Sequence, residues 1–152
     1  MPILPSTEQL SVFFVPVISG YNSTDLTEIG LIYEWGVPLV ENKICTGQAW
    51  FIIPRTGSYQ IKPILFTDDT GDCECATNYR AGAVGESFPQ HSGDSGAQTV
   101  AVTALKINAG PTLTMSLTAG DVMRLLFTRD ATSDNDTVHG NVYPVGFEVT
   151  RL

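Results

Sequence analysis

Charge is scarce in this sequence: Asp, Glu, Lys and Arg make up 16% of 152 residues, against 43% apolar residues. That balance excludes a disordered chain, which would be rich in charge and poor in aromatics. It also predicts a surface that is partly covered, since solvent-facing positions normally carry those charges. Basic residues number eight, none of them clustered, and the net charge is −8. Nucleic-acid binding needs phosphate neutralisation, so it is set aside. No apolar run approaches the ~18 residues of a membrane helix, and no membrane partner is expected. Met1-Pro2-Ile3-Leu4-Pro5 lacks a basic start and a long apolar stretch, so no leader peptide is expected. Three cysteines, Cys45, Cys73 and Cys75, cannot all pair within one chain. An odd count of this kind argues against a secreted disulfide scaffold and for assembly in a reducing compartment.

A helical period is missing too. No stretch of a dozen residues carries apolar side chains at 3.6-residue spacing with caps. What recurs is alternation between turns. Leu113, Met115 and Leu117 alternate with Thr112, Thr114, Ser116 and Thr118. Gly120-Asp121 opens a strand in which Met123, Leu125 and Phe127 point inward and Arg124, Leu126 and Thr128 outward. In the last strand Tyr143, Val145, Phe147 and Val149 fall on one face; Pro144 and Gly146 mark it as an edge or interface strand. Further strands are expected over Leu10–Ile18, with Pro16 at an edge or a bulge, and over Ile29–Trp35, Gln48–Ile53, Tyr59–Phe66 and Val100–Ile107. The last of these has a phase slip that reads as a bulge. Cys73–Ala81 is ambiguous, and Gly82–Gly96 reads as a long glycine-rich interaction loop. Strands at hairpin spacing predict an all-β, antiparallel, jelly-roll-like β-sandwich of about eight strands over residues 12–152. Residues 1–11, with two prolines among Pro2–Gln9, are expected to be an extended arm. Apolar residues expected on outer faces, Leu126, Val142 and Ile64 or Leu65, call for a cover from sister subunits.

Candidate chemistry is sparse. Gly93-Asp94-Ser95-Gly96 resembles the nucleophile signature of trypsin-like proteases, a mechanism that needs a His base and an Asp orienter. The two histidines do not supply that order: His91 lies four residues before Ser95, and His139 lies downstream. A flexible glycine loop is the better account, and no catalytic residue is expected. Cys73-Glu74-Cys75 places two thiols on one face of a strand, and Cys45 with His91 would complete a zinc set. Nothing fixes them together, so buried, inert thiols are expected and no metal site or cofactor is assigned. Residues 130–137 gather oxygen donors but lack the glycine and terminal glutamate of an EF-hand. Asx turns with Arg129 paired to a nearby Asp are the expectation there, with calcium as the alternative. Of the aromatics Trp35, Trp50, Tyr21, Tyr33, Tyr59, Tyr79 and Tyr143, most are read as core. Tyr21 and Tyr79, beside loops, are the candidates for an exposed sugar-stacking platform.

One pattern runs through Trp50-Phe51-Ile52-Ile53-Pro54 and Tyr59, then from Thr118-Ala119-Gly120-Asp121 to Arg129-Asp130. It continues through Asp136-Thr137 and ends in Val145-Gly146-Phe147-Glu148-Val149. It resembles a family of bacteriophage virion proteins, small trimeric jelly-roll domains found as capsid decoration or cement proteins and in head or tail fibres. The resemblance spans residues 12–152, and its specific part is the last third. It implies a non-enzymatic structural protein of the virion, assembled in the bacterial cytoplasm. The expected form is a homotrimer that contacts a major capsid protein and stabilises the shell. The alternative it allows is a fibre or receptor-binding module that recognises host-surface glycans.

Overall fold

The computed structural model describes residues 12–29 and 36–152. The expected arm, and residues 30–35 of the second expected strand with Tyr33 and Trp35, lie outside the described residues. The rest is all-β. Twelve strands are present among the described residues: β1 (Val12–Pro16), β2 (Ser19–Asn22), β3 (Glu28–Ile29), β4 (Ile44–Ile52), β5 (Gly57–Thr67), β6 (Gly71–Gly82), β7 (His91–Asp94), β8 (Gln98–Val102), β9 (Ile107–Ala109), β10 (Leu113–Leu117), β11 (Val122–Asp130) and β12 (Val142–Arg151). They form two antiparallel sheets. One runs β1-β12-β5-β10, with β9 also on β5; the other runs β3-β2-β4-β11-β6-β7, with β8 also on β6.

Twelve strands rather than eight arise because β2, β6 and β7 add to the expected ones and Val100–Ile107 divides into β8 and β9; the two longest strands, β5 and β6, each take two short partners along one edge. β5 takes β10 along Gly57–Ile61 and β9 along Ile64–Phe66. β6 takes β8 along Gly71–Cys75 and β7 along Asn78–Ala81. The phase slip in Val100–Ile107 is therefore a change of sheet. β8 lies in one layer, β9 in the other, and a turn containing Leu105 at φ 61 joins them. The ambiguous Cys73–Ala81 is the interior of β6, and the expected loop Gly82–Gly96 contributes β7 to its side.

The core is the layer between the sheets. Met123, Leu125 and Phe127 of β11 meet Tyr59, Ile61 and Leu65 of β5 with Phe147 and Val149 of β12, all fully buried. The alternation read for β10 and β11 holds in their inward-facing residues. β12 departs from it. Its register shifts between Pro144 and Gly146, which places Val142 in the core with Phe147 and Val149. Tyr143 thereby leaves the face assigned to it and packs against Phe66, with ring centroids 6.3 Å apart. Nor is β12 an edge: it lies between β1 and β5. Pro144, which lacks an N–H, is accommodated inside the sheet next to this bulge, where Val145 is left without a partner on β5. Its ring is received by Gly47 across the sandwich, where an added Cβ would come within 2.6 Å of Pro144 Cγ. Pro16 does sit on an edge strand, since β1 pairs only with β12 among the described residues.

One charge is buried among these apolar side chains. Arg129, the penultimate residue of β11, has 0% exposure and stands between Cys45 and Cys75 in register. All five of its N–H groups are used. Nε and one Nη2 donor bind Asp136 Oδ2 and Oδ1 at 3.0 and 2.8 Å, and the remaining donors bind the carbonyls of Leu39, Gly140 and Val138. The donor-rich loop at residues 130–137 thus serves as the lid of this ion pair. Asp130 Oδ1 accepts the Thr132 N–H in an Asx turn, and Asp136 Oδ2 also accepts the Glu74 N–H.

Removing one partner of a buried pair leaves an uncompensated charge, which costs roughly 3–5 kcal/mol. Asp136→Asn is therefore expected to lower unfolding stability by that amount in urea titrations. Arg129→Met with Asp136→Leu, which removes both charges, is expected to recover part of the loss.

Candidate functional site

The outer face of the larger sheet is where polar and aromatic side chains converge. The inward phase of β4 is set by Cys45, Gly47 and Ala49, so Thr46, Gln48, Trp50 and Ile52 point outward. On β11 the outward residues are Arg124, Leu126 and Thr128; on β6 they include Asn78 and Arg80; on β2, Ser19 and Tyr21. Register brings them into rows. Trp50, Arg124, Arg80 and Ser92 lie side by side across four strands, and Gln48, Leu126, Asn78 and Asp94 form the next row.

Arg124 is the centre of this face. Its guanidinium carbon lies 5.9 Å from the ring centroids of both Trp50 and Tyr21. Nε donates to Gln48 Oε1 at 2.9 Å, and Nη2 donates to the same oxygen. An arginine held between two π faces and an amide is fixed in one rotamer. Trp50 remains 54% exposed and is braced on its other side by Phe88, whose ring centroid is 5.8 Å away. Beside Tyr21, further along the face, Ser23, Thr46 and Thr128 form a hydroxyl chain across the β2 end, β4 and β11, at 2.7 and 2.8 Å. An open groove of about 600 Å³ follows, lined by Ser19, Tyr21, Ser23, Leu26, Glu28, Gln48, Arg80 and Arg124. An exposed indole next to a half-buried phenol, with fixed donors and acceptors between them, suits a flat ligand with one apolar face and a polar rim.

The residues singled out from sequence divide sharply. Tyr21 belongs to the groove. Tyr79 does not: it faces the core from β6, buried, so the platform expected of it is absent. Trp50, read as core, is the exposed aromatic instead. Its phase was hidden because Trp50-Phe51-Ile52-Ile53 is apolar at every position. The small residues Gly47 and Ala49 before it carry the signal, since they must lie where the sheets approach. Tyr59 is core, and its hydroxyl donates to the Arg55 carbonyl.

Gly93-Asp94-Ser95-Gly96 is structural. A Cβ on Gly93 would lie 2.7 Å from the Tyr79 ring, so only glycine lets β7 lie on β6. Asp94 accepts the Asn78 amide and the Gly96 N–H, while Ser95 Oγ accepts the Thr77 N–H and donates to the Gly96 carbonyl. His91 pairs with Ala81, at the far end of β7 from Ser95. His139 belongs to a loop whose backbone N–H donates to Asp69, beyond the other end of β6. Cys45, Cys73 and Cys75 are free and buried, all facing the core. Cys45 and Cys75 are separated by Arg129 of β11, and His91 is exposed on β7, so these four do not meet. Among the described residues no group of three or more His, Cys, Asp or Glu could hold a metal ion.

Burial pushes the Cys45 thiol up, and the hydrogen-bonded Cys75 thiol together with burial does the same to Cys73; burial also raises the Tyr79 phenol. Exposed on unfolding, thiols ionise near pH ~8.5, whereas the folded chain keeps these protons to higher pH. Above that pH the folded state binds more protons than the unfolded one, so stability is intact below it and falls as pH rises past it. Urea midpoints measured across neutral to alkaline pH should decline on the alkaline side. Cys45→Ala with Cys73→Ala should flatten the decline, even though two cavities lower the absolute values. A pH-independent midpoint for the unsubstituted chain would contradict the assignment.

No protein-family model and no curated protein sequence matches the chain. Solved structures do share its architecture. The Arthrobacter globiformis T6 isomalto-dextranase, complexed with panose, matches with a TM-score of 0.51 and 12% identity over 95% of this chain and 24% of that one. TmCBM61 in complex with β-1,4-galactotriose matches with a TM-score of 0.40 and 13% identity over 76% of this chain and 68% of that one. The enzymatically active domain of bacteriophage CBA120 tailspike protein 4 matches with a TM-score of 0.39 and 11% identity over 90% of this chain and 18% of that one. The chain thus spans about a quarter or less of the dextranase and the tailspike domain. At 12% identity the likeness to the dextranase concerns the fold alone; the two-sheet, jelly-roll-like β-sandwich stands on the strand order itself.

Proposed function

We propose that this chain is a non-catalytic glycan-binding β-sandwich whose site is the Trp50–Arg124–Tyr21 face of the larger sheet. The observation that carries the reading is the exposed indole of Trp50 clamped beside an arginine that is already bound to Gln48. A pyranose ring offers C–H groups on one face and hydroxyls around its rim. The first stack on an aromatic; the second pair with amide, guanidinium and hydroxyl groups held in place. A groove of about 600 Å³ accommodates a short run of sugar units rather than one. The sequence resemblance to phage virion proteins supports a setting for this activity: a domain carried on a virion that recognises host-surface glycans.

Trp50 should dominate binding, as buried aromatic anchors do, with truncation costing about 2 kcal/mol or ~30-fold in affinity. On a glycan array followed by titration calorimetry, the full chain should retain a defined set of oligosaccharides, and Trp50→Ala should lose them. Because the indole is half exposed, the substitution should change unfolding stability by less than ~1 kcal/mol. An array without signal, or equal binding by Trp50→Ala, would refute the reading.

A second reading, the trimeric capsid decoration protein, is favoured by the opposite side of the molecule. Val12 and Phe14 of β1 are each 55% exposed, and Ile18 just beyond is 66% exposed, at a strand with a free edge among the described residues. Sister copies joining there would cover that edge and those side chains. Sedimentation of the purified chain should then give a trimer that Phe14→Asp converts to monomer. A monomer from the unsubstituted chain would remove this reading and leave the sugar site standing.

A further inference from the structure

We propose that the glycan recognised by this face is anionic, a pyranose bearing an oxyanion held by Arg80 and Arg124. This deepens the sugar-binding reading and rests on it. The chain has a net charge of −8 and only eight basic residues. Two of them stand directly opposite each other, Arg124 on β11 and Arg80 on β6, on the same outward face. Like charges in directly opposed cross-strand positions repel, so the arrangement weakens the sheet unless an anion joins it.

Neither arginine forms an ion pair with a described residue. The ion pairs among the described residues are Lys62–Glu148, at 3.4 Å on the other sheet, and Arg129–Asp136 in the core. Arg124 is held by the uncharged oxygen of Gln48 through Nε and Nη2, which leaves both Nη1 donors without a partner among the described residues. Arg80 is exposed and makes no hydrogen bond to a described residue. The carboxylates on this face keep their charge but form no ion pair with either arginine. Asp94 accepts from Asn78 and Gly96, and Glu74, further along β6, accepts from the Thr99 hydroxyl. Glu28 stands at the far end of the groove on β3, beside Tyr21 and three strands away from Arg80's neighbour β11. Both arginines line the same groove, one of them locked in place, and a carboxylate or sulfate offers an oxygen to each. Trp50, in the same row as both, would carry the ring to which that group is attached.

The experiment uses the full chain and three tetrasaccharides: oligogalacturonate, its neutral galactan counterpart and a sulfated galactan. Calorimetric titrations at two salt concentrations give affinities for each. The acidic forms are expected to bind at least ten-fold more tightly than the neutral one, with an advantage that shrinks in high salt. Which of the uronate and the sulfate binds better identifies the oxyanion. Arg80→Gln should bring the acidic-to-neutral ratio toward one. Lys62→Gln makes the same change in net charge on the opposite sheet and should leave the ratio where it was. Equal affinity for acidic and neutral forms, both abolished by Trp50→Ala, would overturn this proposal while sparing the sugar site. A ratio lowered equally by Lys62→Gln would also overturn it, as an effect of overall charge. No binding to any of the three, with none on the wider array, would refute both.

Discussion

A single guanidinium closes this sandwich. Arg129 enters the interior at the end of β11 and could not stay there unpaired, because desolvation of an isolated cation costs far more than any one contact returns. Every N–H it carries therefore dictates where something else must be. Asp136 has to reach back from the loop, the carbonyls of Val138 and Gly140 have to turn inward, and Leu39 has to bring its carbonyl from the segment before β4. Together these tie β11 to the connection between β11 and β12 and to the chain entering β4. Replacing a buried ion pair by apolar side chains is often neutral for stability once both charges are gone. An apolar pair could fill the same volume, but it would not fix the path of the chain between β11 and β12.

The outward face follows from what is fixed inside. Since side chains alternate along a strand, holding Met123, Leu125, Phe127 and Arg129 in the core commits Arg124, Leu126 and Thr128 to the other side. The same argument applied to β4 through Gly47 and Ala49 commits Trp50, and applied to β6 through Cys75, Thr77 and Tyr79 commits Asn78 and Arg80. A groove lined by residues of five strands thus depends on residues that never touch it. Leu126, apolar and outward, is nevertheless buried at 4% exposure beneath its polar neighbours, so the cover expected from sister subunits comes at this position from the chain itself. Val142 and Leu65 needed no cover at all, because both face the core.

Much of the architecture was legible where polar and apolar residues alternate. β10 and β11 could be phased from sequence because Thr and Ser, or Arg and Thr, separate their apolar residues. The Gly120-Asp121 turn was legible too, and its reason is local: the Asp121 carboxylate accepts the Thr118 N–H. Arg129 paired with a nearby Asp was expected as well, from the acidic residues that follow it in the chain, whereas its full burial was not. Legibility failed where composition is uniform or the backbone breaks step. Trp50 was obscured inside a run of four large apolar residues. Tyr143 was misplaced by one bulge, and β7 was invisible because a short strand of His91-Ser92-Gly93-Asp94 has no apolar side to report. The groove itself is a product of register between distant strands, which no local pattern encodes.

The clamp on Arg124 has a kinetic side. A free surface arginine wanders among rotamers and must be arrested each time a partner arrives, which costs about 0.5–1.5 kcal/mol of freedom. Between Trp50, Tyr21 and Gln48 that arrest is completed when the chain folds. Encounter with a ligand then needs no rearrangement of the central donor, so association is limited by approach and orientation, and discrimination among ligands falls to how fast each one leaves. Under the proposed reading, a surface of this type would reject a sugar whose polar groups are misaligned instead of adapting to it.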